Sequence, residues 1–196
     1  MSTDPQFSQL SPRQIGACNW IGVMTLIQKE VGRFLNVYMQ TIIAPVITLM
    51  MFFVVFSLSM KHHAGGTMPE GGLVFLAPGL LMMTMIQNAF ANTSSSLVIA
   101  KVQGNIVDVL MPPLAPWEIL LGLMVGALLR CLMIGVLGFV MMLFVTPLPV
   151  QNLSFVLGFG FLGSVMLASL GIAAGLWAEK FDHLATVTNF IITPLD

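Results

Sequence analysis

Apolar residues come in long blocks along this chain, separated by short polar breaks. The first block covers residues 37–60, between Arg33 and Lys61, and holds no charge. Similar blocks cover 73–97, 119–145 and 153–177, and a fifth begins near Leu184. A run of about 20 apolar residues crosses a bilayer and is longer than an ordinary core helix requires. The pattern predicts an all-α fold, a polytopic bundle of transmembrane helices. The fifth block, 184–196, is too short to span, and a bare helix end in hydrocarbon leaves carbonyls unpaired. The bundle is therefore expected to be cut inside its fifth span, which would leave a helix face at Gly171 and Gly175 without partners.

Ahead of the first block the pattern changes. Ser11 followed by Pro12 suits a helix start. Ile15, Trp20, Val23, Leu26, Ile27, Val31 and Phe34 then recur at roughly helical spacing. Lys29, Glu30 and Arg33 are expected on the opposite, solvated side. This predicts an amphipathic helix lying at the membrane surface. The chain divides into residues 1–36, a tail with that interfacial helix, and 37–196, the membrane domain.

Composition agrees. The chain is 57% hydrophobic and 8% charged, with a mean hydropathy of +0.96, where a soluble domain carries about 25% charged residues. A net charge of -1 with no basic face sets nucleic acid aside as a partner. Cys18 and Cys131 read as isolated small residues, not a disulfide framework. The N-terminal residues 1–12 lack the basic and apolar regions of a cleavable signal. His62 and His63, with Glu70 nearby, fall in a glycine-rich turn and read as solvated side chains, because adjacent imidazoles diverge and no cysteine joins them. The turn at 146–152, with Pro147 and Pro149, closes a hairpin of the third and fourth spans. Ser164 lies mid-span and His183 in the turn after it, too far apart for proton exchange. No catalytic, cofactor or metal constellation is expected.

Loop charges give an orientation. With the N-terminus cytoplasmic, Arg13, Lys29, Arg33, Lys101 and Lys180 lie inside and Lys61 outside, the bias that basic residues impose on topology.

Function is expected in the few polar residues within the spans. In the second, Pro78 and Gly79 should loosen the helix. Thr84, Asn88, Asn92 and Ser96 repeat every four residues and share one face, which avoids lipid and must meet another helix or a wet path. In the third, Gly122, Gly126 and Arg130 share a face, so the arginine should point into a packed interface or reach along it to the headgroups. These five polar residues, Thr84, Asn88, Asn92, Ser96 and Arg130, are the candidate lining of a translocation path, and equally candidates for helix-to-helix hydrogen bonding.

The loop at 101–118 has its own signature. Gly104 and Asn105 lead into a short helical stretch, Pro112 and Pro113 end it, and Pro116 restarts the chain into the third span. The segment KEVGRFLNVYMQTIIAPVITLMMFFVVF, the FLAPGLL around Pro78 and Gly79, the run Gly104, Asn105, Ile106, Asp108, Leu110, Pro113 and Leu114, the position of Arg130, and AEKFDHLATVTNFIITPL follow one another in the order seen in a known family. The chain resembles the membrane subunit, or permease, of ATP-binding-cassette exporters of the type-2 class, which move polysaccharides, lipids and drugs outward. Where that family commonly shows Gly-Thr-x-Glu, this chain has Asn105 and Asp108, an acid of shorter reach.

The resemblance implies a location in the bacterial inner membrane, a second permease copy, and two ATPase subunits that carry the ATP and magnesium. Gly104, Asn105, Ile106, Asp108, Leu110, Met111 and Pro113 would then be the ATPase-coupling residues. The chain has no GxxxxGK[ST] phosphate loop, in keeping with ATP hydrolysis on another chain. The alternative is a secondary transporter or channel driven by an ion gradient, against which stands the expected absence of a carboxylate within the spans.

Overall fold

A computed structural model describes residues 18–63, 72–145 and 153–189. The expected helix start at Ser11 and Pro12, the outer turns around Gly65 and Pro147, and the end of the fifth block lie outside the described residues. The described chain is helical throughout: α1 (Trp20–Asn36), a π-helical turn (Met39–Ile43), α2 (Ala44–His63), α3 (Gly72–Val102), α4 (Ile106–Leu110), α5 (Pro116–Leu143), α6 (Leu153–Trp177) and α7 (Phe181–Val187). Four stretches are long and apolar enough to cross a membrane: Met39–Met60, Val74–Val102, Pro116–Leu143 and Ser154–Trp177. We refer to them as spans one to four.

Helix α3 is the hub and packs against α2, α5 and α6. Lipid tails are as apolar as leucine, so these contacts rest on close packing and interhelical hydrogen bonds, not on escape from water. Leu49 and Phe53 of α2 meet Ala77 and Leu81 of α3 and Met142 of α5. Ala89, Ala127, Cys131 and Ala168 bring α3, α5 and α6 together through small side chains. Helix α3 runs continuously through Pro78. It also extends to Val102, past the expected end near 97, because Lys101 belongs to a helix end instead of a loop. Its Nζ donates to the carbonyls of Gly175, at 2.9 Å, and of Leu176 and Ala178. These are orphan acceptors at the C-terminus of α6, where a cation also suits the helix dipole.

Gly171 and Gly175 are not left without partners. A Cβ on Gly171 would stand 2.2 Å from Thr93 Oγ1 and 2.6 Å from the Phe90 carbonyl. A Cβ on Gly175 would meet Leu97 and the Ser94 carbonyl. The face expected to await a missing helix is therefore filled by α3.

Helix α1 runs alongside the first turns of α5, in the same direction. Leu26 sits over Gly122 and the Glu30 stem over Gly126. Val23, Leu26, Glu30 and Phe34 are its buried side. Its start is tied down twice. Asn19 Oδ1 accepts from the Gly22 amide at 3.1 Å. The Glu118 carboxylate accepts from the amides of Asn19 and of Ala115, the latter at 2.7 Å.

Gly171→Ala should force α6 away from α3 and cost about 1–3 kcal/mol, the usual range for overpacking. Gly158→Ala, where no atom lies within 4 Å, should be neutral. Thermal unfolding of the two variants in one detergent checks this; equal midpoints would refute the close α3–α6 contact.

Candidate functional site

The polar residues of the spans converge at one place. Arg130, on the glycine face of α5, reaches towards α3 and the π-turn. Its Nη2 donates to Asn88 Oδ1 at 2.9 Å, its Nη1 to Asn92 Oδ1 at 3.3 Å, and its Nε to the Thr41 carbonyl at 3.2 Å. From the other side Arg33 of α1 donates through Nη2 to Asn92 Oδ1 at 3.0 Å and to the Asn92 carbonyl at 3.1 Å. The Glu30 carboxylate pairs with Arg33 at 2.9 Å and accepts from Ser96 Oγ at 2.7 Å. One amide oxygen, on Asn92, thus takes hydrogen bonds from two guanidiniums. Asn92 is wholly buried, Glu30 is 3% exposed and Arg130 is 8% exposed.

Local sequence explains this geometry. Asn88, Asn92 and Ser96 lie one helical turn apart, so a single face of α3 offers all three. Gly122 and Gly126 let α1 approach α5 closely enough for Glu30 to reach Ser96. At the joint between α1 and span one, the Thr41 hydroxyl donates to the Phe34 carbonyl at 2.7 Å. The turn there is π-helical, and such turns re-aim backbone groups at functional sites. Here the carbonyl of Thr41 points at Arg130.

Of the expected path residues, Asn88 and Asn92 are brought together as acceptors for Arg130, and Ser96 joins the same network through Glu30. Thr84 and Asn88 reach open space, a cleft of about 320 Å³ between spans one and two. Gln40, Pro45, Thr48 and Phe52 form one wall, and Leu80, Met83, Thr84, Gln87 and Asn88 the other. Sequence reading missed Glu30 and Arg33, which it placed on a solvated side. The missed signal was spacing: Glu30 is four residues from both Leu26 and Phe34, in register with the apolar stripe. The expectation that the spans hold no carboxylate is corrected by Glu118, buried in the first turn of span three, and Glu30 is a second buried carboxylate, on α1 beside the spans. It is already paired with Arg33, so it is not a free proton site.

The loop expected at 101–118 narrows to residues between Val102 and Pro116, and carries the five-residue helix α4. Gly104 has φ 76, a left-handed conformation that glycine adopts without strain. Val109 is buried under α4 and Ile106 half-buried, while Asp108 is exposed; Leu110 is 64% and Met111 79% exposed. A second cleft, about 100 Å³, lies between this loop and the Glu30–Arg33 turn of α1, and is lined by Lys29, Glu30, Arg33, Ser96, Gln103, Asn105 and Val109 among others. Ser164 is buried within α6 and the ring of His183 lies against Trp177 at 5.6 Å, so the two do not form a site.

Four spans, a buried polar network and a short helix held between two of the spans define a polytopic helical membrane protein. A family model described as "ABC-2 type transporter" matches residues 22–195, and the chain belongs to that family. It is the membrane subunit of an ABC transporter. It is 34% identical over 176 residues to the "Inner membrane transport permease YadH" of Escherichia coli (strain K12), across 90% of this chain and 69% of that protein. The same identity and coverage hold for the proteins of that name in Escherichia coli O157:H7 and Shigella flexneri. No solved structure matches the chain.

Removing the Glu30 carboxylate alone should be costly, since it takes from the half-buried Arg33 its ion-pair partner and leaves both guanidiniums of the network without a carboxylate. Glu30→Leu is expected to destabilise the chain by about 3–5 kcal/mol. Glu30→Leu combined with Arg33→Leu should recover most of that loss. Denaturant titration in mixed micelles measures both, and a double variant no more stable than the single one would show that the pair is not a unit.

Proposed function

We propose that this chain is the permease half of an inner-membrane exporter, working as two permease copies with two separate ATPase subunits that bind and hydrolyse ATP with magnesium. In this reading the N-terminus and the 103–115 loop are cytoplasmic, the orientation favoured by the basic residues. The observation that carries the proposal is the exposed apolar end of α4. Val107, Leu110 and Met111 face outwards from a helix whose other side, at Val109, is buried. An exposed apolar knob on a braced loop suits docking into a groove on a soluble partner, with Gly104, Asn105, Ile106 and Pro113 shaping the loop and Asp108 at a charged rim.

The same loop is linked to the polar network. Leu114 packs over Gly22, and Asn19 Nδ2 donates to the Pro113 carbonyl at 3.4 Å. A push on α4 therefore reaches the start of α1, whose later turns carry Glu30 and Arg33, and Arg33 is bonded to Asn92 of α3. ATP-driven closure of the partner would shift α1 against α3 and α5, and with them the cleft between spans one and two. That is a two-state element biased by a distant ligand. Thr84 and Asn88 line the path in this scheme, while Asn92, Ser96 and Arg130 hold its walls. The ion-driven alternative loses ground because both carboxylates buried among the described residues are committed: Glu30 to Arg33 and Ser96, and Glu118, in the first turn of span three, to the amides of Asn19 and Ala115.

Buried apolar anchors carry most of the energy of an interface, and rim charges mainly tune association. Leu110→Ala should therefore weaken ATPase co-purification at least tenfold, and Asp108→Asn by less than threefold, on the order of 1.4 kcal/mol per decade. Membrane insertion should be unchanged in both. Normal co-purification and normal ATP-driven export after replacing Asp108, Leu110 and Met111 together by alanine would refute the docking role.

A further inference from the structure

The polar network has a charge left over. Glu30, Arg33 and Arg130 sum to one negative and two positive charges, and the carboxylate is paired with Arg33. Among the described residues Arg130 is answered only by neutral oxygens, those of Thr41, Asn88 and Asn92. A guanidinium buried among apolar helices with no counter-ion is unfavourable, and a nearby anion relieves it. Arg130 stands one hydrogen bond behind the larger cleft. Its Nη2 is bonded to Asn88, which lines one wall, and its Nε holds the carbonyl of Thr41, next to Gln40 on the other wall.

The cleft itself is graded. Gln40, Thr84, Gln87 and Asn88 gather at the end near α1, and Leu49, Phe52 and Leu80 at the far end. Gln40 and Phe52 are separated by about 18 Å along the helix axis. The Thr84 hydroxyl donates to the Leu80 carbonyl at 2.8 Å, and one hydrogen of Asn88 Nδ2 goes to the Thr84 carbonyl at 2.9 Å. The donors for an anionic head are therefore the Gln40 amide and the second Asn88 N–H, with a cation behind them, and the apolar far end suits a chain.

We propose that the cleft between spans one and two takes a single-chain anionic amphiphile, its charged head against Gln40, Thr84 and Asn88 and its tail along Leu49, Phe52 and Leu80. This rests on reading the chain as an exporter subunit, and it names the class of cargo. Arg130 acts as a positioning residue. It holds both walls and supplies the surplus positive charge without touching the head itself.

The test uses the full chain in phosphatidylcholine nanodiscs, without ATPase, and two diazirine-tagged probes, dodecyl phosphate and dodecyl maltoside. Photolabelling of peptides covering 40–52 and 80–88 is followed against probe concentration. Dodecyl phosphate should half-saturate labelling at a concentration at least tenfold below that of dodecyl maltoside. Ala44→Trp, which fills the cleft from an exposed lining position, should raise the dodecyl phosphate value at least tenfold. Ile47→Trp, exposed on the same helix but outside the cleft, should leave it unchanged.

Asn88→Asp gives Arg130 its missing counter-ion at nearly constant shape and should abolish the preference for phosphate. Equal half-saturation by the two probes in the unaltered chain overturns the proposal. So does an unaffected Ala44→Trp variant, a retained preference in Asn88→Asp, or no labelling of either wall, as when a second copy fills the cleft. Because no ATPase is present, these failures leave the docking role of α4 standing. Failed co-purification likewise leaves the labelling result standing.

Discussion

The arrangement depends on one amide oxygen. Asn92 Oδ1, at the centre of α3, accepts from Arg33 on α1 and from Arg130 on α5. Three helices meet there that have no hydrophobic reason to prefer each other over lipid. Interhelical hydrogen bonds in membranes average only about 0.6 kcal/mol when a side chain can find other partners. Here alternatives are scarce, because Glu30 is committed to Arg33 and Ser96 and both guanidiniums share the buried Asn92 amide oxygen. Removing one member strands the rest, so the cluster behaves as a unit, not as a sum of weak pairs.

Small residues make this unit possible. Gly122 and Gly126 admit α1 to the side of α5, and Gly171 and Gly175 admit α6 to the side of α3. Both glycine pairs are spaced by four, so each clears one strip of helix surface. The outcome is a hub helix, α3, with one face devoted to polar partners and another to close backbone contact. The cleft lies where α3 turns its polar face past the network towards span one.

Much of this was legible in the sequence. Block lengths located the four spans, since only helices with internally satisfied backbones suit hydrocarbon. Fourfold spacing put Asn88, Asn92 and Ser96 on one face and Arg130 beside two glycines. What stayed hidden was pairing. Periodicity says which residues share a face but not which helix meets it, so Gly171 and Gly175 read as unpartnered although α3 fills them. Lys101 read as a loop charge because nothing local shows that α6 ends beside it. Glu30 was assigned to water by residue type, although its spacing from Leu26 and Phe34 placed it on the buried stripe. A carboxylate overrides that expectation only when partners exist, and Arg33 and Ser96 come together with it only in the folded chain.

If Asn92 is the joint between α1 and the spans, loosening it should free α1 selectively. Hydrogen exchange of the detergent-solubilised chain reads this directly. Asn92→Leu should speed amide exchange across Trp20–Asn36 at least tenfold while Ser154–Trp177 keeps its protection. Unchanged protection of Trp20–Asn36, or equal loss across all helices, would contradict the account.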